Sequence, residues 1–186
     1  MEASTNGANG AQAAPKTDSV GMVDLTRENL DKAGCYAKNE SSAYPMHNLF
    51  IGDSRLGCKS DADEQLLLHV AFNEVVKVRS IKLTAFNQGL DEEANPTVIK
   101  LFVNRENIGF EDCDDIDPTQ TLELSAEDLK EDGKPILLKF VKFQRVNSIT
   151  LFIEENAGAE QTSLGGLKFF GRSIGTTNMK DFKKQG

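Results

Sequence analysis

Val76, Val78, Ile81 and Leu83 constrain this chain more than any other residues, because they form an alternating apolar row that changes phase once. Lys77, Arg79, Lys82 and Thr84 fill positions between them. A period of two marks a strand with one solvated face, and such a strand cannot swap faces without an extra residue. A β-bulge or sharp bend is therefore expected at Arg79-Ser80. Just upstream, the acidic turn Ser60-Asp-Ala-Asp-Glu leads into an apolar segment at 66–72, which Asn73-Glu74 interrupts before the alternating row begins. Two consecutive strands are expected there.

Further strands follow the same logic. Residues 97–104 place Ile99, Leu101 and Val103 on one face and Val98, Lys100 and Phe102 on the other, so both faces of that strand are substantially apolar. Clean alternation returns at 120–124, the two longest apolar strands are expected at 136–144 and 148–155, and a closing strand at 164–170. The connections are polar: 86–96 reads as a solvated loop, and 105–118 as a turn-rich acidic one. Ser125 with Asp128 three residues on reads as a capped helical turn. A short helix is expected at 23–33, opened by Asp24 or Thr26 and stopped by Gly34. Residues 34–59 lack any sustained period and read as a long irregular surface connection. Seven or eight strands with few helices point to a mainly β fold, an antiparallel β-sandwich of which the jelly roll is one form.

At 186 residues the chain is long enough for one well-buried core, placed at 22–175. Residues 1–21, rich in Ala, Gly, Asn, Ser and Thr, are expected to be a disordered leader, and 176–186 a flexible tail. The net charge of −8 disfavours a nucleic-acid backbone or an anionic membrane surface as main partner, since both would be repelled. The amino terminus lacks a basic head and apolar core, and no apolar run approaches membrane-spanning length. Cys35, Cys58 and Cys113 are odd in number and far apart, without Cys-x-x-Cys, which suggests neither a disulfide framework nor a cysteine metal site. A soluble, intracellular protein in a reducing compartment is expected.

Few residues carry a chemical signal. Asp61, Asp63 and Glu64 are suited to a cation or a basic partner surface, although a solvated turn that protects a sheet edge is favoured over these. Calcium-loop spacing with its central glycine is missing there and around Asp112, Asp114, Asp115 and Asp117. His47 and His69 have no second histidine three to five residues away, so metal binding is not indicated; His69, alternating with Leu68 and Val70, belongs on the outer face of its sheet. Nothing nearby in sequence activates the cysteines, and Ser148 and Ser163 lack a nucleophile elbow. No enzymatic role, cofactor or metal is expected. Tyr36, Tyr44, His47 and Phe50 share the long early connection, where they form a candidate aromatic contact patch. The sandwich class brings in a rival reading, a small-ligand or carbohydrate binder, against which stand the absence of Trp and only two Tyr.

Four blocks carry a family resemblance: Ser60-Asp-Ala-Asp-Glu-Gln-Leu-Leu, Val76-Lys-Val-Arg-Ser-Ile, Thr97-Val-Ile-Lys-Leu-Phe-Val-Asn and Phe140-Val-Lys-Phe-Gln-Arg-Val-Asn-Ser-Ile-Thr-Leu-Phe-Ile. Together they resemble the PITH domain, named for a proteasome-interacting thioredoxin-like protein, over residues 23–173. The resemblance implies a galactose-binding-domain-like jelly roll and a non-enzymatic protein-interaction module, an adaptor or regulator associated with the 26S proteasome in the cytoplasm and the nucleus. A monomer is expected. Val70-Ala71-Phe72 stands where many relatives have Ile-Pro-Phe. With no thioredoxin domain ahead of it and no Cys-x-x-Cys, a stand-alone PITH protein is expected, so proteasome association carries over weakly. Asp61, Asp63 and Glu64, with the aromatic patch, are the candidate partner-binding residues.

Overall fold

The computed structural model describes residues 21–174; the expected leader, apart from Gly21, and the expected tail lie outside the described residues. Among the described residues ten strands and two short helices follow one another: β1 (Val23–Asp24), α1 (Leu25–Glu28), β2 (Tyr36–Lys38), β3 (Cys58–Lys59), β4 (Leu66–Thr84), β5 (Pro96–Val103), α2 (Phe110–Asp115), β6 (Gln120–Glu123), β7 (Ile136–Leu137), β8 (Val146–Asn156), β9 (Ser163–Leu164) and β10 (Gly166–Ser173). The large sheet runs β1-β10-β4-β8-β5-β6, with β2 and β7 also on β4, and β3 pairs β9 separately. Every pairing is antiparallel.

β4 is one strand of 19 residues rather than the two expected. The interruption at Asn73-Glu74 is a register shift against β8 between Ala71 and Val76, not a strand end. Asn29 holds the detour: Asn73 N donates to its carbonyl at 2.9 Å, and its carboxamide donates to Glu74 Oε2 at 2.9 Å. The expected bulge is present. Phe170 pairs Ser80 and Gly171 pairs Val78, which leaves Arg79 as the extra residue. Leu66, Leu68, Val70, Phe72, Val76, Val78, Ile81 and Leu83 therefore all reach the same main core despite the phase change.

The opposite face of the first half of β4 is covered as well. Leu67, Phe102 and Phe152 are buried with Ile108 and Cys113, against which Tyr36, Phe110 and Ile116 pack. This explains the two apolar faces of β5, and it corrects the reading of 105–118 as a solvated loop. The segment folds over the sheet and forms α2, whose Asp112 Oδ2 accepts from Gly109 N at 2.8 Å and closes the first turn.

Three further expectations change. The helix at 23–33 shrinks to α1, which keeps the expected Asp24 cap through a 3.0 Å bond from Thr26 N; it stops because Asn29 and Leu30 turn aside to bind Asn73 and bridge Phe72. The connection at 34–59 holds β2, β3 and a 3₁₀ turn (Met46–Phe50) whose Met46 and Leu49 are buried. At 136–144 only Ile136–Leu137 forms a strand, followed by a 3₁₀ turn (Phe140–Lys142). Here β4 is bulged, so the ladder cannot continue past Ser80 and Ile81. The chain instead bonds to the bulge itself, Leu138 N to Arg79 O at 3.0 Å and Val78 N to Phe143 O at 3.0 Å, and buries Leu138 and Phe143 at non-strand spacing.

Candidate interaction surface

The acidic turn at 61–64 is tied down by two segments distant in sequence. Asn39 sits in the left-handed region, φ 68°, which a short carboxamide tolerates better than most side chains. Its Nδ2 donates to Asp63 Oδ1 at 2.9 Å and to Gln65 O at 2.6 Å, while Ala62 N donates to its Oδ1 at 3.0 Å. From the other side Gln161 Nε2 donates to Asp61 O at 2.7 Å and Thr162 Oγ1 to Glu64 O at 2.6 Å. These bonds take up the turn's backbone and the Asp63 carboxylate, which also accepts from Gln65 N at 3.1 Å. The Asp61 and Glu64 carboxylates make no hydrogen bond or ion pair among the described residues, and Asp61 is exposed. The turn is thus a fixed platform carrying two uncommitted negative charges.

Gln161 and Thr162 also line a depression of about 120 Å³ together with Lys59 and Phe86. Lys59 Nζ lies 4.4 Å above the Tyr44 ring centre and 4.8 Å from that of Phe86, and the two rings meet edge to face at 5.8 Å. Cation–π contact of this kind fixes both the ammonium and the rings. Tyr44 therefore adjoins the acidic turn, through Lys59, Gln161 and Thr162.

The remaining candidates are placed elsewhere. Phe50 packs against the main core. His47 is exposed, its Nε2 3.4 Å from Lys32 O. Tyr36 stacks on His69 at 4.7 Å and 19° on the outer face of β4. His69 does lie on that outer face, yet it is buried, because Tyr36 and the 105–118 segment cover it. Sequence reasoning missed Asn39, Lys59, Phe86 and Gln161. Their partners lie 15 to 100 residues away, and nothing local marks them.

Thr150 Oγ1 donates to Arg105 O at 3.3 Å, so it accepts from His69 Nδ1 at 2.8 Å, and the imidazole carries its proton on Nδ1. Burial lowers the His69 pKa from its ordinary value, with Glu106 opposing weakly. Protonation at low pH then favours the unfolded chain, where the histidine titrates near 6.5. Unfolding free energy, followed by urea denaturation, should fall as pH drops below about 6.5, by no more than about 1.4 kcal/mol per pH unit. A His69→Gln protein should lose this component; an unchanged pH profile would refute a buried neutral His69.

All three thiols are free and buried. Burial pushes Cys58 up to about 12 and Cys113 up to about 11, and raises Cys35. At neutral pH they are protonated packing groups, not nucleophiles.

The comparisons with known proteins agree with this architecture. Thioredoxin-like protein 1 of Schizosaccharomyces pombe is 35% identical over 148 residues, covering 78% of this chain and 50% of the relative. PITH domain-containing protein 1 of Danio rerio is 33% identical over 104 residues, 56% of this chain and 46% of the relative. The chain spans about half the length of these curated relatives. Among solved structures, the CBM32-1 and CBM32-2 domains of Clostridium perfringens ZmpB, in complex with GalNAc, superpose with a TM-score of 0.61 at 11% identity, over 81% of this chain and 36% of that one. The family 32 carbohydrate-binding module of C. perfringens NanJ, in complex with galactose, gives 0.55 at 13% identity, over 80% and 98%. At such identities the likeness shows the fold alone: an antiparallel, galactose-binding-like β-sandwich, as the strand pattern and the resemblance led us to expect. The PITH domain family model matches residues 16–186, and the chain belongs to the PITH domain family.

Proposed function

We propose that this chain is a non-enzymatic protein-interaction module, an adaptor or regulator that docks on the 26S proteasome, acting as a monomer in the cytoplasm and the nucleus. The observation that carries the reading is the acidic turn, whose backbone is locked by Asn39, Gln161 and Thr162 while Asp61 and Glu64 remain uncommitted. Preorganised charge of this sort steers encounter and fixes register at an interface without first ordering a loop. Membership of the PITH family and similarity to a thioredoxin-like protein support the same direction.

The test separates display from support. Asp61→Lys with Glu64→Lys should reduce retention of purified 26S proteasomes about fivefold or more, with stability unchanged within about 0.5 kcal/mol as for ordinary surface changes. Asp63→Lys should instead lower stability by about 1 kcal/mol, because it removes the bonds from Asn39 and Gln65. Retention equal to wild type in the double variant would show that the partner is held elsewhere.

A second reading, a sugar or small-ligand binder, draws on the depression beside Phe86 and on neighbours solved with GalNAc and galactose. It ranks lower because the aromatic surface there is already in use: Lys59 lies over Tyr44, and Phe86 meets it edge on. A reproducible thermal shift with galactose or GalNAc would reverse the order.

A further inference from the structure

On a chain of net charge −8, residues 133–153 contain no Asp or Glu and carry Lys134, Lys139, Lys142 and Arg145, all four exposed. The same stretch holds the largest concentration of exposed apolar side chains among the described residues: Leu137 is 63% exposed, Phe140 43% and Val141 81%. They stand on the short β7 strand and the turn after it, where the chain binds the bulge of β4. The Arg79 guanidinium lies 5.5 Å from the Phe140 ring centre.

The strip has a defined shape. Gln120 Oε1 accepts from Lys139 N at 2.8 Å, Gln144 Nε2 donates to Phe140 O at 2.7 Å, and Lys142 Nζ donates to Thr119 O at 3.4 Å. Lysines alone would suffice to guard a short edge strand against stray pairing. That purpose gives no reason for Val141 and Phe140 to stand in water beside them. Apolar anchors ringed by cations instead match a ligand with apolar side chains among carboxylates.

We propose that Leu137, Phe140 and Val141, with Lys139 and Lys142, form a docking site for an acidic amphipathic segment of a protein partner. An extended polyanion fits less well. Glu127, Asp128, Glu131 and Asp132 directly precede the strip in sequence, and four further acids stand at 111–115. A membrane surface or a duplex would meet these charges along with the cations, whereas a short peptide need cover only the strip. The site is opposite in charge to the acidic turn and stands whether or not that turn binds anything.

A random dodecapeptide phage library selected on the immobilised full chain tests this. Peptides enriched in Asp or Glu together with Leu, Ile, Phe or Trp should emerge. Their affinity should fall about tenfold on Lys139→Glu with Val141→Ser, remain unchanged on Asp61→Lys with Glu64→Lys, and weaken as salt rises. Both altered positions are exposed, so folding, checked by thermal melting, should survive. Failure to enrich acidic sequences, equal binding by the Lys139/Val141 variant, or tighter binding of phosphatidylserine vesicles or duplex DNA than of the selected peptides would overturn the proposal.

Discussion

Phe169→Ala should destabilise the domain by about 3–5 kcal/mol, read from urea denaturation with an unchanged slope. Phe169 is fully buried on β10, faces Phe72 edge to face at 6.0 Å, and pairs with Ile81, two residues past the bulged Arg79. It therefore packs β10 against both halves of β4, and its removal leaves a cavity where the strand is bent and least able to collapse. For a domain of this size the melting temperature should drop by roughly 10 °C. Phe169→Leu keeps most of the volume and should cost about 1.5 kcal/mol or less. If alanine were no worse than leucine, the site would relax freely, and the two halves of β4 would not be joined through this ring.

The second large effect is expected from a single methyl group. A Cβ at Gly171 would run into the carbonyl oxygen of Lys77 and stand 3.0 Å from Leu25 Cδ1. The φ at Gly171 is not the reason, since it lies outside the left-handed region; the obstacle is the nearness of β4. Gly171 pairs Val78 immediately after the register shift, so the strands can keep their contact only if the bulge moves. A moved bulge would turn Ile81 and Leu83 out of the core. Gly171→Ala should thus cost about 3 kcal/mol or more, at the upper end for overpacking. Gly166→Ala, on the same strand with its nearest atom 3.4 Å away, should cost about 1 kcal/mol or less. Equal stability of the two variants would mean that the bulge is not where β10 approaches most closely.

What could be read in advance follows from how far each signal travels along the chain. The phase change between Arg79 and Ile81 is local, and the bulge or bend expected from it at Arg79-Ser80 is a bulge at Arg79. The alternation of β5 and β8 is equally local. By contrast, the segment at 136–144 looked like a long strand because it is apolar throughout, yet the bulge it would pair with ends the ladder after two residues. The helical turn at α2 was hidden in an acidic run, where Phe110 and Cys113 alone mark its buried side. The acidic turn could be seen, but not which of its carboxylates is free. Asn39 decides that by bonding the Asp63 carboxylate, while Gln161 holds only the Asp61 backbone carbonyl, and both act from other parts of the chain.

The 19-residue β4 strand also sets the order in which a nascent chain can mature. His69 bonds Thr150, 81 residues downstream, and the β10 partners of the second half follow later still. At about 5–20 residues per second, a ribosome that has just finished β4 at Thr84 needs roughly 4–14 s more before β8 is complete at Asn156. Throughout that interval only β2, which precedes it, is at hand to pair three residues of this long apolar strand, and its remaining open edge makes it the natural client segment for a chaperone during synthesis.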